Sequence, residues 1–125
     1  MVIRECRYLL SDGIGFNKYI INSTLVYLLR QKICVCIWCN ADVFVKKYSL
    51  KGFYTGMIIS EYEESLMYCM PTNQFFIDDS NTNFALAIKN SIDDKNMLDK
   101  AKSLYVGDIP IVEFNRNNLY YDATM

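Results

Sequence analysis

Apolar and polar residues alternate from Val2 to Leu10, with Cys6, Tyr8 and Leu10 on one side and Glu5 and Arg7 on the other. This pattern predicts a half-exposed strand, and its charges place it at a sheet edge. Ser11-Asp12-Gly13-Ile14-Gly15 carries turn chemistry, and Asn17 can cap a helix reaching about Gln31 with Ile20, Thr24, Tyr27, Leu28 and Gln31 along one side. A strand competes for the same segment because Ile20, Ile21, Thr24 and Val26 are β-branched. Ile33 to Cys39 and Val43 to Leu50 flank Asn40-Ala41-Asp42, the pattern of a hairpin with a short loop. Phe53 to Ile59, Leu66 to Met70 and Gln74 to Ile77 read as further strands, so a meander of antiparallel strands is the simple arrangement.

Beyond Ile77 a helix opens at Asp79, Ser80 or Thr82, with Phe84, Ala87, Ile88 and Ile92 on its apolar face. A second helix carries Met97, Leu98, Ala101, Leu104 and Tyr105 as its stripe, Asp93 and Asp94 at its amino end, Lys100 and Lys102 at its carboxyl end, and Gly107 after it. Ile109 to Phe114 predicts a last strand, at an edge because of Pro110, before the polar Asn115-Arg116-Asn117-Asn118. No repeat, linker or low-complexity tract divides the 125 residues, and 52% apolar composition suits a chain with its own core. The expected architecture is a single globular α+β domain over residues 1–125, a mainly antiparallel sheet with two or three helices packed on one side.

The longest apolar run, Ile33 to Cys39, has seven residues, against the ~20 needed for a membrane-crossing helix. The amino terminus is interrupted by Arg4, Glu5 and Arg7 and does not read as a secretory signal, so a cytoplasmic location is expected. The five cysteines fit reduced, buried thiols in that compartment.

Candidate chemistry is narrowed first by the absence of histidine, which removes Ser-His-Asp and Cys-His pairs and an imidazole shuttle. Cys34, Cys36 and Cys39 form C-x-C-x-x-C, but on a strand Cys34 and Cys36 share one face and Cys39 takes the other, so core packing is expected, with neither metal nor cofactor. Gly13-Ile14-Gly15 resembles the first half of a dinucleotide-binding turn, with Asp42 as a ribose ligand, yet Lys18 stands at the third glycine position. Lys46, Lys47 and Lys51 fall on alternating sides of the expected strand, with Tyr48 between them, and the pI near 5.3 disfavours a phosphate-binding surface. Direct nucleic-acid binding is therefore not expected.

Charge is unevenly distributed. Residues 1–60 hold eight Lys/Arg against three Asp/Glu, and residues 61–125 hold five against eleven. From Gly52 to Ile88 there are five carboxylates, Glu61, Glu63, Glu64, Asp78 and Asp79, and no Lys or Arg. With Tyr62 and Tyr68 beside them, they form the candidate binding face, because tyrosine supplies buried area at low entropic cost and one-signed charge steers an opposite partner. In size, acidity and lack of catalytic equipment the chain resembles immunity proteins that neutralise bacterial nuclease toxins, or phage-encoded inhibitors of host defence. That likeness of general profile implies a non-catalytic inhibitor whose carboxylates engage a basic, nucleic-acid-handling partner. The alternatives are a small-ligand or nucleotide-binding module using the Gly13-Ile14-Gly15 turn and Lys18, or a histidine-free enzyme using Tyr, Lys or Cys.

Overall fold

The computed structural model describes residues 2–4, 27–107 and 109–123, with side-chain burial assigned from residue 27 onward. The chain forms two compact units, Met1–Met57 with Tyr120–Met125, and Ile58–Leu119.

The first unit is built on strands β1 (Val2–Arg4), β2 (Ile33–Ile37) and β3 (Lys51–Thr55), with helix α1 (Ala41–Tyr48) between the last two. Strand β4 (Leu119–Asp122) lies next to β3 in a sheet of order β1-β2-β3-β4. Both the β1–β2 and β2–β3 pairs are parallel, and a single pair is antiparallel. The expectation of a mainly antiparallel sheet is thereby overturned. The cause lies in the segment Val43 to Leu50, expected as the second arm of a hairpin, most of which belongs to helix α1 (Ala41–Tyr48).

The helical period was present there all along. Ala41, Phe44 and Val45 are buried and Tyr48 packs against the same core, spacings of three, four and seven that define one helix face. Asp42 sits in the first turn and Lys46 and Lys47 in the last, complementing the helix dipole. Asn40 and Ser49 bracket the helix in left-handed conformations, with φ of 61° and 54°, a geometry that Asn tolerates better than most residues. Parallel strands require a crossover of this kind, because a tight turn can only join antiparallel ones.

Strand β2 buries Cys34, Val35 and Cys36 in succession, as expected of a strand covered on both faces. Cys34 and Cys36 join Trp38, Phe44, Val45, Leu50 and Tyr54 in the core under α1. Burial pushes the Cys34 thiol above its ordinary pKa, with nearby Lys32 opposing, so it stays protonated.

Gly52 faces Cys34 in the β2–β3 register. Its φ is +123°, and a Cβ there would stand 1.9 Å from the Cys34 carbonyl oxygen. Only glycine lets the two backbones approach this closely. Thr55, the last residue of β3, ties that strand to the residue following β2: its Oγ1 accepts from the Trp38 N–H at 3.2 Å and donates to the Trp38 carbonyl at 2.7 Å.

The second unit is helical, with α2 (Tyr62–Met67), α3 (Gln74–Ser91), α4 (Met97–Leu104) and α5 (Pro110–Arg116). Three strands expected in this region are absent. Leu66 to Met70 is the end of α2 and the turn after it, where Cys69 has φ 52°. Gln74 to Ile77 is the first turn of α3, because Asn73 Oδ1 accepts from the Phe76 N–H at 3.0 Å and starts the helix before Asp79. Ile109 to Phe114 lies in α5, where Pro110 occupies the first helical position, which needs no N–H donor. Of the stripe expected from Met97 to Tyr105, Met97 and Ala101 are buried in α4 and Tyr105 is buried at its cap, while Leu104 is 39% exposed. Ala87 and Ile88 of α3 are buried, and the rings of Phe84 and Tyr105 meet edge to face at 5.4 Å.

Replacing Gly52 with Ala combines a forbidden backbone conformation with a clash against the β2 backbone. Gly52→Ala is expected to destabilise the protein by at least about 2 kcal/mol, read as a fall in the chemical-denaturation midpoint; an unchanged midpoint would show that β2 and β3 do not pair in this register.

Candidate acidic face on the helical unit

The helical unit holds all seven residues of the expected face, and its hydrogen bonds sort them into two groups. Glu61 and Glu64 form a reciprocal capping box around the start of α2. Glu64 Oε1 accepts from the Glu61 N–H at 3.0 Å, the Ser60 N–H at 3.1 Å and the Ser60 hydroxyl at 3.2 Å. These two carboxylates hold α2 in place. Glu63 is exposed on the first turn of the same helix.

Asp78 and Asp79 are exposed on α3. Asp78 accepts from Gln74 Nε2 at 2.8 Å, and Asp79 accepts from Asn83 Nδ2 at 3.4 Å, both one helical turn along. Asn81 donates to the Ser60 carbonyl at 2.9 Å and ties α3 to the segment entering α2. Asp78 lies three residues before Asn81, on the same side of α3, so it is brought toward the amino end of α2. Asp79 stands about 100° further round the helix.

Tyr62 is half-exposed at the start of α2, and Tyr68, also exposed, packs its ring at a tilt against Phe114 of α5, with centroids 5.3 Å apart. Leu66, Met67 and Phe75, which fall in segments expected as strands, are exposed as well. Met67 is 78% exposed, Phe75 71% and Leu66 58%, and Phe75 meets the more covered Phe76 edge to face at 5.7 Å. The signal was available in Leu66-Met67-Tyr68 and Phe75-Phe76, which are adjacent apolar residues where a short helix can bury only one side. Helices α2 and α3 thus each expose large apolar side chains together with carboxylates, the two ingredients of an interface core and its charged rim.

Asn115, read in the sequence as part of a polar tail, is instead the centre of the unit. Its Oδ1 accepts from the Ile59 N–H at 2.6 Å, and its Nδ2 donates to the Ile59 carbonyl at 2.9 Å and to the Tyr105 hydroxyl at 3.1 Å. Tyr105 shares a further hydrogen bond of 2.6 Å with Ser80. Burial pushes the Tyr105 phenol above its ordinary pKa, while the bonds to Ser80 and Asn115 pull the other way. It remains a neutral group closed off from solvent, with a bracing role and no access to a substrate.

A second group of polar side chains lies in the sheet unit. Tyr54 is stacked on Tyr120 at 5.5 Å, and its pKa is raised by burial and then by the charges of Asp122 and Asp42 and by Tyr120. One carboxylate oxygen of Asp42 and the Trp38 indole N–H are buried without a hydrogen-bond partner among the described residues. Gly13, Gly15 and Lys18, the expected nucleotide turn, lie outside the described residues, as does Cys6.

Among the described residues, no group of three or more Cys, Asp or Glu is arranged to hold a metal ion, and no helix is long and apolar enough to cross a membrane. No protein-family model, curated protein or solved structure matches the chain.

Two substitutions separate bracing from surface roles. Asn115→Ala strands the Ile59 N–H and carbonyl in a buried setting and is expected to cost on the order of 3 kcal/mol, measured by chemical denaturation. Glu64→Ala removes the capping box and is expected to cost about 1 kcal/mol, whereas Glu63→Ala stays within about 0.5 kcal/mol. Equal effects at the two glutamates would contradict this division of labour.

Proposed function

We propose that this protein is a non-catalytic binding protein that attaches to a basic protein partner through the acidic, aromatic face of α2 and α3. The observation that supports the reading is the exposure of Leu66, Met67 and Phe75 on the two helices that carry Glu63, Asp78 and Asp79, in a stretch with no Lys or Arg from Gly52 to Ile88. Apolar anchors supply the buried area, and the surrounding carboxylates select a cationic surface and accelerate encounter with it. A partner that handles nucleic acid presents such a surface, and the carboxylates would occupy its phosphate positions. Inhibition of that partner, in the manner of an immunity protein, follows directly from such occupancy.

The charged contacts in this reading are Glu63, Asp78 and Asp79, with Tyr62 and Tyr68 as flanking aromatic area. Glu61 and Glu64 add to the local field while serving chiefly as caps. The test is capture from the native cell, followed by reconstitution with the purified partner and measurement of affinity across a salt series. Simultaneous Glu63→Lys, Asp78→Lys and Asp79→Lys leaves the capping box intact. It is expected to weaken binding by about tenfold or more at low salt, mainly through a slower on-rate, and Met67→Ala with Phe75→Ala to hasten dissociation. A reconstituted complex indifferent to both sets of changes would refute the proposed face.

A further inference from the structure

The helical conformation of residues 41–48 changes where the lysines of the first unit lie. On an alternating strand, Lys46, Lys47 and Lys51 would have been spread over two faces. Here Lys46 and Lys47 occupy the last turn of α1 and Lys51 is the first residue of β3. Lys32 immediately precedes β2, and the Ile33↔Lys51 register sets the starts of the two strands side by side. Arg30 joins them because its Nε donates to the Tyr48 carbonyl at 2.9 Å, fixing the guanidinium at the carboxyl end of α1.

Five cations thus converge on one end of the β2-α1-β3 unit, the end where both strands begin and the helix finishes. Arg30, Lys32, Lys46 and Lys47 are exposed and Lys51 is partly so. Among the described residues none of the five is in an ion pair. Asp42 is the one acid between Gly13 and Ser60, and it sits at the opposite end of α1. Aromatic rings accompany the cations: Tyr27 is 63% exposed one helical turn before Arg30, and Lys47 Nζ lies 5.2 Å over the half-exposed Tyr48 ring.

We propose that this end of the sheet unit binds the phosphodiester backbone of a nucleic acid, with the five cations on phosphates and Tyr27 and Tyr48 offering stacking surfaces to unpaired bases. The overall pI of 5.3 does not oppose this, because charge is partitioned between the units. The sheet unit, with Tyr120–Met125, holds eight Lys/Arg against four Asp/Glu, and the helical unit five against ten. Cations interleaved with tyrosines favour a nucleic acid over an acidic protein or an anionic membrane. This surface belongs to the sheet unit, and the proposal does not rest on the acidic face of the helical unit.

The experiment is fluorescence anisotropy with a labelled 20-nucleotide oligothymidine and a 20-base-pair duplex, on the full chain, between 50 and 200 mM NaCl. With up to five phosphates neutralised, the logarithm of affinity for the single strand should fall with that of salt at a slope of about −3.5, roughly a hundredfold loss over this range. The Lys46→Gln, Lys47→Gln variant should bind more weakly with a slope shallower by about 1.4, while Lys95→Gln, Lys100→Gln on the helical unit should bind as the parent does. Circular dichroism confirms that each variant is folded. Absence of binding at 50 mM salt, or equal weakening by both pairs, overturns the proposal. So does binding to phosphatidylserine vesicles or polyglutamate without binding to either oligonucleotide.

Discussion

The close approach of β2 and β3 at Gly52 is the constraint on which the sheet unit rests. Parallel pairing sets Cys34 opposite Gly52, and the missing side chain lets the two backbones meet. Because the strands run the same way, the chain must return between them, and α1 is that return. Its apolar face then covers Cys34 and Cys36, while Trp38, Phe44 and Tyr48 continue the core through successive edge-to-face contacts. A side chain at position 52 would therefore disturb the pairing, the crossover and the packing together.

In the helical unit the equivalent task falls to a polar group. Asn115 presents an amide that pairs with Ile59 as a neighbouring strand would, satisfying both backbone groups of a residue buried outside any regular element. Its third bond reaches Tyr105, which also meets Ser80, so α3, α4 and α5 and the segment before α2 are joined through one network. Such a network is worth having only when every member is satisfied, and here the members satisfy one another. This bracing leaves α2 and the first turn of α3 free to present Leu66, Met67 and Phe75 outward.

The molecule's charge follows its division into units. A net charge of −1 describes neither part, since the sheet unit is basic and the helical unit acidic. Local structure then decides which charges are available. Glu64 is consumed by a cap, Asp78 and Asp79 hold only single amide donors, and the lysines of α1 have no carboxylate partner among the described residues. The two units therefore carry net charge of opposite sign, the property on which both proposed partners depend.

What the sequence determined by itself was mostly local. The one-signed stretch from Gly52 to Ile88, the lack of histidine, the β2 segment and the stripe of α4 could all be read from residue order, because each depends on composition or on a period within one element. The parallel sheet could not, since alternating Val43, Val45 and the lysines fit a strand as well as Ala41, Phe44, Val45 and Tyr48 fit a helix. The continuous apolar run of β2 hinted at burial on both faces, but whether its neighbour ran parallel was settled by contacts between segments distant in the chain. Likewise, nothing in Asn115-Arg116-Asn117-Asn118 distinguished the asparagine that would be buried, because its worth comes from Ile59, 56 residues earlier. Periodicity reports what a segment can do alone; tertiary packing chose among those options by burying one face and satisfying the backbone groups it enclosed.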